Sequence, residues 1–218
     1  MSVPQLDDEG RAALLTKFDV SRETMLRLEA YAGLLVAQQQ SMNLVGPATI
    51  PELWHRHMLD SAQLLPYIPT SARSLIDLGS GAGFPALVLA IMNPDLAVTM
   101  VESRAKKCRF LEQVVAATGL SARAKVVNAR AEALPVEGYD VISARALASL
   151  AQLFNWGLRF QSARTLWLLP KGRSVEQEVV EAKRMFRFGH ALKPSLTDPD
   201  ARILLAWQVE RRAKGKTG

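Results

Sequence analysis

Apolar and polar positions follow two different rhythms along the chain. Up to about residue 70 the apolar residues recur at helical spacing: Leu26, Leu28, Tyr31, Leu34 and Leu35 form one face behind Ser21. Ser21 can cap that helix, with Thr24 standing where a capping box would have Glu. The segment SMNLVGP (41–47) breaks it. A further helix is expected from about 51 to 65, because Pro51 suits a first turn. Near Ser74 the rhythm changes to short β-rich runs separated by helical ones. Strands are expected at 74–78, 97–102, 125–128, 139–143 and 164–169, with helices at 84–92, 104–118, 147–157 and 174–185. Such alternation predicts a parallel sheet with helices on both faces. Two later runs, near 185–192 and 202–209, are linked by the turn-rich KPSLTDPD with no helix between them, which predicts a terminal antiparallel hairpin.

The stretch IDLGSGAGFPAL (76–87) then stands at the carboxyl end of the first strand, where doubly wound sheets bind ligands. Gly79, Gly81 and Gly83 allow unusual backbone angles there and let a ligand touch the main chain. Their spacing is G-x-G-x-G, whereas a dinucleotide fingerprint is G-x-G-x-x-G. Asp77 is badly placed for a pyrophosphate and well placed for an ammonium group, directly or through water. S-adenosylmethionine presents such a group and no phosphate. Phe84 follows the loop as a wall. Glu102 ends the second strand, where an acid can take both ribose hydroxyls of an adenosine. Loop and acid together specify an adenosine-type cofactor. ARAEAL (129–134) follows the third strand, and there Glu132 either reaches the adenine or is an exposed helix-start residue. SARAL (143–147) follows the fourth, on the switch-point side, which favours Arg145 in the crevice over free solvation. Lys171, in LLPKGR, ends the fifth.

Charge and cysteine content narrow the chemistry. The chain has 218 residues, a formal net charge of +6 and a pI near 9.7, which suggests a polyanionic partner. Residues 1–70 carry a net −3 and the remainder +9, so the basic surface belongs to the glycine-loop part. The single cysteine, Cys108, falls on the helical face of Leu111 and Val115 and reads as a buried apolar residue, which argues against a cysteine adduct at pyrimidine C5. One cysteine also fits a reducing, cytoplasmic setting. The polar, acidic N-terminus is no signal peptide, and no apolar run reaches the length of a membrane span. No metal cluster is expected, since His55 and His57 are two apart and His190 is remote. The fourth strand lacks an N-P-P-Y segment for an exocyclic amine. A ring nitrogen needs neither device: it carries no proton to remove, and alignment with a sulfonium methyl could supply most of the catalysis. Arg145 and Lys171 are candidates for guanine O6, for phosphate or for the cofactor carboxylate.

MNLVG (42–46), RHMLDS (56–61), IDLGSGAGFPAL (76–87), RAEAL (130–134), DVISARALASL (140–150) and LPKG (169–172), in that order, resemble the bacterial ribosomal RNA small-subunit methyltransferase G (GidB) family over about residues 20–212. The resemblance implies methyl transfer from S-adenosylmethionine to N7 of a guanine, RNA position 527, in 16S rRNA, free or within the 30S subunit. It places cofactor contacts on Gly79, Phe84, Ala131, Glu132 and Arg145; Asp77, Gly81 and Glu102 come from the loop and strand-end chemistry above. Glu102 stands where relatives often have Asp. His57, Asp60 and Ser61 match the helical motif, as a substrate contact or as a structural link. The expected fold class is α/β: a class I S-adenosylmethionine-dependent methyltransferase (Rossmann-like) sheet with a terminal antiparallel hairpin and an N-terminal helical extension. The parts are 1–70 (helical extension), 71–212 (methyltransferase domain) and 213–218 (basic tail). Two other functions remain open on the residues alone: an NAD-type oxidoreductase, and a non-catalytic RNA-binding assembly protein.

Overall fold

The structure, a computed structural model, describes residues 6–213. Of the basic tail at 213–218, only Ala213 lies within the described residues. Seven strands form one sheet: β1 (Ser74–Leu78), β2 (Ala97–Glu102), β3 (Ala124–Asn128), β4 (Tyr139–Ser143), β5 (Gln161–Lys171), β6 (Phe186–Pro194) and β7 (Arg202–Arg211). Their spatial order is β3-β2-β1-β4-β5-β7-β6. Strands β1 to β5 run parallel, and β7 inserts antiparallel between β5 and β6. The expected parallel sheet and terminal hairpin are therefore present.

Period-two alternation sorts the strand side chains onto two cores. Leu75, Val98, Met100 and Val141 face one side, beneath α2 (Arg22–Met42), α4 (Ala86–Met92) and α5 (Ala105–Ala117). Ile76, Leu78, Ile142 and Trp167 face the other, beneath α6 (Leu150–Gly157) and α7 (Val175–Met185). The N-terminal helices, including α1 (Asp8–Lys17), share the first core, so Leu14, Leu28 and Leu35 are buried together with Leu75 and Leu87.

Four expectations need correction. The helical face of α2 is Met25, Leu28, Tyr31, Ala32 and Leu35, while Leu26 is 55% exposed; the i, i+3, i+7 phase starts one residue earlier than the apolar run suggests. Helix α1 has no counterpart in the expected elements. The expected 51–65 helix is instead a π-helical segment, Trp54–Leu59, followed by a short α3, Asp60–Ala62, and a 3₁₀ turn, Leu65–Tyr67. The carboxylate of Asp7 caps its start by accepting from the amides of Trp54 and His55, both at 2.9 Å; Pro66 lacks the amide to prolong it. Finally, α6 starts at Leu150, not at 147. Ser149 caps it by accepting from the amide of Gln152, and this leaves 145–148 as a loop in which Ala146 has φ +52°.

The break after α2 is held by a device that the sequence pattern does not announce. Asn43 closes the helix in the left-handed region at φ +46°. The Gln39 side chain then accepts from the amides of Leu44 and Val45, both at 3.0 Å, and donates to the Val45 carbonyl at 2.7 Å. MNLVG is thus fixed as a rigid rim above the sheet.

Candidate active site

The carboxyl ends of β1 to β5 open into one cleft of about 980 Å³. Every motif singled out in the sequence contributes to its wall: Leu44 to Gly46, Arg56, His57 and Asp60, Gly79 to Ala82 with Phe84, Arg130 to Glu132, Arg145 to Ala148, and Pro170 to Gly172. The turn between β6 and β7 adds Thr197, Asp198 and Ala201.

The glycine loop is required by geometry at each glycine. Gly79, Gly81 and Gly83 have φ of +69°, +58° and +100°, a region that L side chains rarely adopt. They differ in what a side chain would meet. A Cβ on Gly83 would stand 2.3 Å from Leu87, and one on Gly79 2.6 Å from Leu147. A Cβ on Gly81 would meet nothing closer than 3.8 Å, so that position faces open cleft. Tyr31 braces the loop from α2 by donating to the Ala82 carbonyl.

Glu102 lines the cleft at the end of β2. One carboxylate oxygen accepts from the Gly81 amide at 3.0 Å and the other from the Arg104 amide at 2.8 Å. Each oxygen keeps a lone pair for a further donor. The sequence expects Asp77 beside an ammonium group, directly or through water. Asp77 does not line the cleft but is completely buried beneath the glycine loop. Its Oδ1 accepts from Ser143 at 2.7 Å, and Oδ2 has no partner among the described residues. Burial raises its pKa to about 6, against smaller lowering effects from Ser143, Ser80 and Arg145, while Glu102 raises it further. Arg145 and Glu102 both line the cleft, so the field of Asp77 reaches into it. A buried carboxylate oxygen with no partner among the described residues, under a loop of three positive-φ glycines, fits the cationic end of S-adenosylmethionine as an electrostatic partner from below.

Phe84 is 3% exposed, more floor than wall. Its ring stacks with Tyr31 at 5.1 Å and with His57 at 5.0 Å, and the Arg145 guanidinium lies 4.9 Å from its centroid. Arg145 does point into the crevice. It pairs with Asp60 at 3.3 Å, donates to the Arg56 carbonyl at 3.3 Å, and meets His57 Nδ1 at 3.0 Å. A guanidinium can only donate, so Nδ1 is the acceptor and the proton of neutral His57 is on Nε2. Nε2 faces Thr49 Oγ1 at 2.7 Å, and that hydroxyl donates its own hydrogen bond to the Gly46 carbonyl. Burial, with Arg145 and Arg56 nearby, lowers the His57 pKa to about 3. His57 is therefore a neutral strut with both nitrogens engaged.

Lys171 is not a free cation. Its ammonium donates to Glu178 at 2.7 Å and to the Ala148 carbonyl at 3.0 Å, and Glu178 also accepts from the Leu150 amide. It braces the Arg145 loop against α7. Ala131 and Glu132 form a 3₁₀ turn on the cleft wall with the Glu132 side chain exposed. Ser61 donates to the His57 carbonyl, a link within its own helix. Cys108 is buried and donates to the Glu102 carbonyl, holding the end of β2. Among the described residues no group of His, Cys, Asp or Glu is placed to hold a metal ion, and no helix is long and apolar enough to cross a membrane.

Comparison with known proteins gives a consistent picture. The family model described as rRNA small subunit methyltransferase G (GidB) matches residues 24–199. The ribosomal RNA small subunit methyltransferase G of Paramagnetospirillum magneticum is 47% identical over 203 residues, covering 93% of this chain and 97% of that protein. Its counterpart in Parvibaculum lavamentivorans is 44% identical, covering 92% and 89%. Among solved structures, an O-methyltransferase from Bacillus cereus in complex with SAH superposes with a TM-score of 0.58 at 15% identity, over 83% of this chain and 91% of that one. A ribosomal protein L11 methylase from Lactobacillus delbrueckii gives 0.51 at 16%, over 70% and 77%. Likeness at that identity speaks for the fold.

Proposed function

The chain belongs to the rRNA small subunit methyltransferase G family, and on that premise we propose that its cleft transfers the methyl of S-adenosylmethionine to N7 of a guanine, RNA position 527, in 16S rRNA. That it is an S-adenosylmethionine-dependent rRNA methyltransferase follows from the family. The observation that carries the reading is the convergence of every family motif quoted from the sequence on one cleft. Neither the oxidoreductase nor the non-catalytic alternative finds support among the relatives.

S-adenosylmethionine supplies an electrophilic methyl on a sulfonium centre. The residues proposed to hold it are Asp77 from beneath, Gly79 and Gly81 at the backbone, Glu102 at the ribose, Ala131 and Glu132 at the adenine, and Phe84 with Arg145 beside the methionine part. Guanine N7 has a free lone pair and no proton, so this reaction asks for alignment and not for a base. A neutral His57 with both nitrogens occupied is compatible with that demand. The remaining donors of Arg145 serve the cofactor carboxylate or guanine O6, and Lys171 positions the loop that carries Arg145. Arg104, Lys107 and Arg130 line the same cleft and have no acidic partner within ion-pair distance among the described residues, which suits an RNA backbone. We place the work of the protein in the cytoplasm, on 16S rRNA, free or within the 30S subunit.

Mapping N7-methylguanine in rRNA from a deletion strain tests the activity and the target together. Loss at one guanine of 16S rRNA, restored by the gene, is expected; an unchanged methylation map overturns the reading. At the ribose position, Glu102→Ala is expected to weaken cofactor binding by about 1–3 kcal/mol, roughly 5- to 150-fold. Titration calorimetry reads it, and unchanged affinity would mean that the ribose is held elsewhere.

A further inference from the structure

We infer that Asp60 is a positioning residue for methyl transfer: its carboxylate aims Arg145 over the Phe84 ring and ties that aim to the turn of the terminal hairpin. The inference rests on the place given above to Arg145. The guanidinium is not held by its own loop. All its hydrogen-bond partners among the described residues come from the 56–60 segment: the Arg56 carbonyl, His57 Nδ1 and Asp60 Oδ2. Only one of these is charged, and Asp60 is the one acidic group paired with Arg145 among the described residues.

The other oxygen of the same carboxylate reaches the hairpin turn. Asp60 Oδ1 accepts from Thr197 Oγ1 at 2.7 Å and from Gln63 Nε2 at 2.8 Å. Gln63 in turn accepts from the Leu196 amide at 2.7 Å, and His55 Nε2 donates to the Thr197 carbonyl at 3.1 Å. Gln63 also donates to Ser195 Oγ at 3.2 Å, so helix segment and hairpin turn are stitched at several points, all between residues more than 130 positions apart in sequence. Thr197, Asp198 and Ala201 line the cleft themselves. A substrate that presses on this turn would move Thr197, and through the shared carboxylate would move Arg145. Asp60 therefore couples what touches the rim to the cation at the reacting end.

A double-mutant cycle separates this role from mere packing. Methyl transfer to 30S subunits from a strain lacking the enzyme is measured for Asp60→Asn, Arg145→Ala and the pair, with thermal unfolding alongside. Asp60→Asn keeps the shape and an acceptor for Thr197 but loses the charge. It is expected to lower kcat/KM by ten- to a hundredfold, and to change nothing beyond twofold once Arg145 is Ala. Thr197→Val is expected to cost three- to tenfold, and likewise to be silent in the Arg145→Ala background. Losses that multiply in the double variants would show that Asp60 acts independently of Arg145 and would overturn the inference. Full activity of Asp60→Asn beside a crippled Arg145→Ala overturns it alone. Full activity of Arg145→Ala overturns the role of Arg145 as well. Should Asp60→Asn not fold, Asp60→Glu enters the same cycle, since it keeps the charge and displaces it by one methylene.

Discussion

Asp77→Asn is expected to gain stability on the parent as pH rises from about 4 to 7, and to lose the pH dependence of cofactor binding. The cause is a carboxylate buried completely, with one oxygen unpartnered among the described residues. Its pKa stands at about 6 in the folded protein against an ordinary 3.8. Below about 3.8 both folded and unfolded chains carry the proton, and above about 6 neither does. Between these values the folded state binds it more tightly, so this group's contribution to stability falls as pH rises. The full swing is about 3 kcal/mol. Asn does not titrate, and any fixed cost of its buried amide is the same at every pH. The difference between the two unfolding free energies should therefore move by about 3 kcal/mol in favour of Asn across the window, as read by denaturant titration at several pH values. Binding moves the other way. A cationic ligand end above Asp77 needs the ionised form, so the affinity of the parent for S-adenosylmethionine should fall by roughly tenfold between pH 7 and pH 5. The Asn variant should bind weakly and with no such fall. If the two stability curves run parallel in pH, Asp77 does not titrate in this window and its raised pKa is overturned; an Asn variant that binds S-adenosylmethionine as tightly as the parent at pH 7 overturns its electrostatic role.

Much of this architecture was legible because strand periodicity and glycine chemistry are local. Strands 74–78, 97–102 and 139–143 match to the residue, and Ser21 caps α2 as its position suggested. The chemistry of the loop was legible too, since three glycines with positive φ leave a mark in any sequence. What stayed hidden depends on partners far along the chain. The π-helical segment is started by Asp7, some 47 residues upstream, and no local pattern encodes that. Gln39 sits in a run of glutamines with nothing to mark it as the staple of MNLVG. The position of Asp77 beneath the floor, the pairing of Lys171 with Glu178, and the link from Asp60 to Thr197 each arise from tertiary packing. The sequence named Asp77, Lys171 and Asp60, but only the fold supplies what they touch.

Gly81→Val should abolish detectable cofactor binding while leaving a folded protein. Two costs compete at this position and the geometry separates them. The first is conformational: φ of +58° is unfavourable for a β-branched side chain, by about 1–3 kcal/mol. For a chain of this size that corresponds to a melting temperature lower by roughly 2–12 °C, without collapse of the fold. The second is occupancy. Apart from its two chain neighbours, no atom of the described residues lies closer than 3.8 Å to the added Cβ, so the valine methyls extend into the cleft beside Glu102, whose carboxylate accepts from the Gly81 amide. The ligand must then give up either its contact with the backbone or its approach to that acid, and a loss of more than a hundredfold is expected by calorimetry. Gly83→Ala is the contrasting control. Its Cβ would meet Leu87 at 2.3 Å and Leu111 at 3.0 Å, both in the core, so it should unfold the protein rather than report on binding. Undiminished affinity in a folded Gly81→Val would mean that the loop is only a turn between β1 and α4. Should valine prove too strained, Gly81→Ala places a single methyl in the same space at a smaller backbone cost and should still weaken binding. The loop then serves two ends with neighbouring glycines: Gly83 is bare because the core leaves no room, and Gly81 is bare so that the ligand has room.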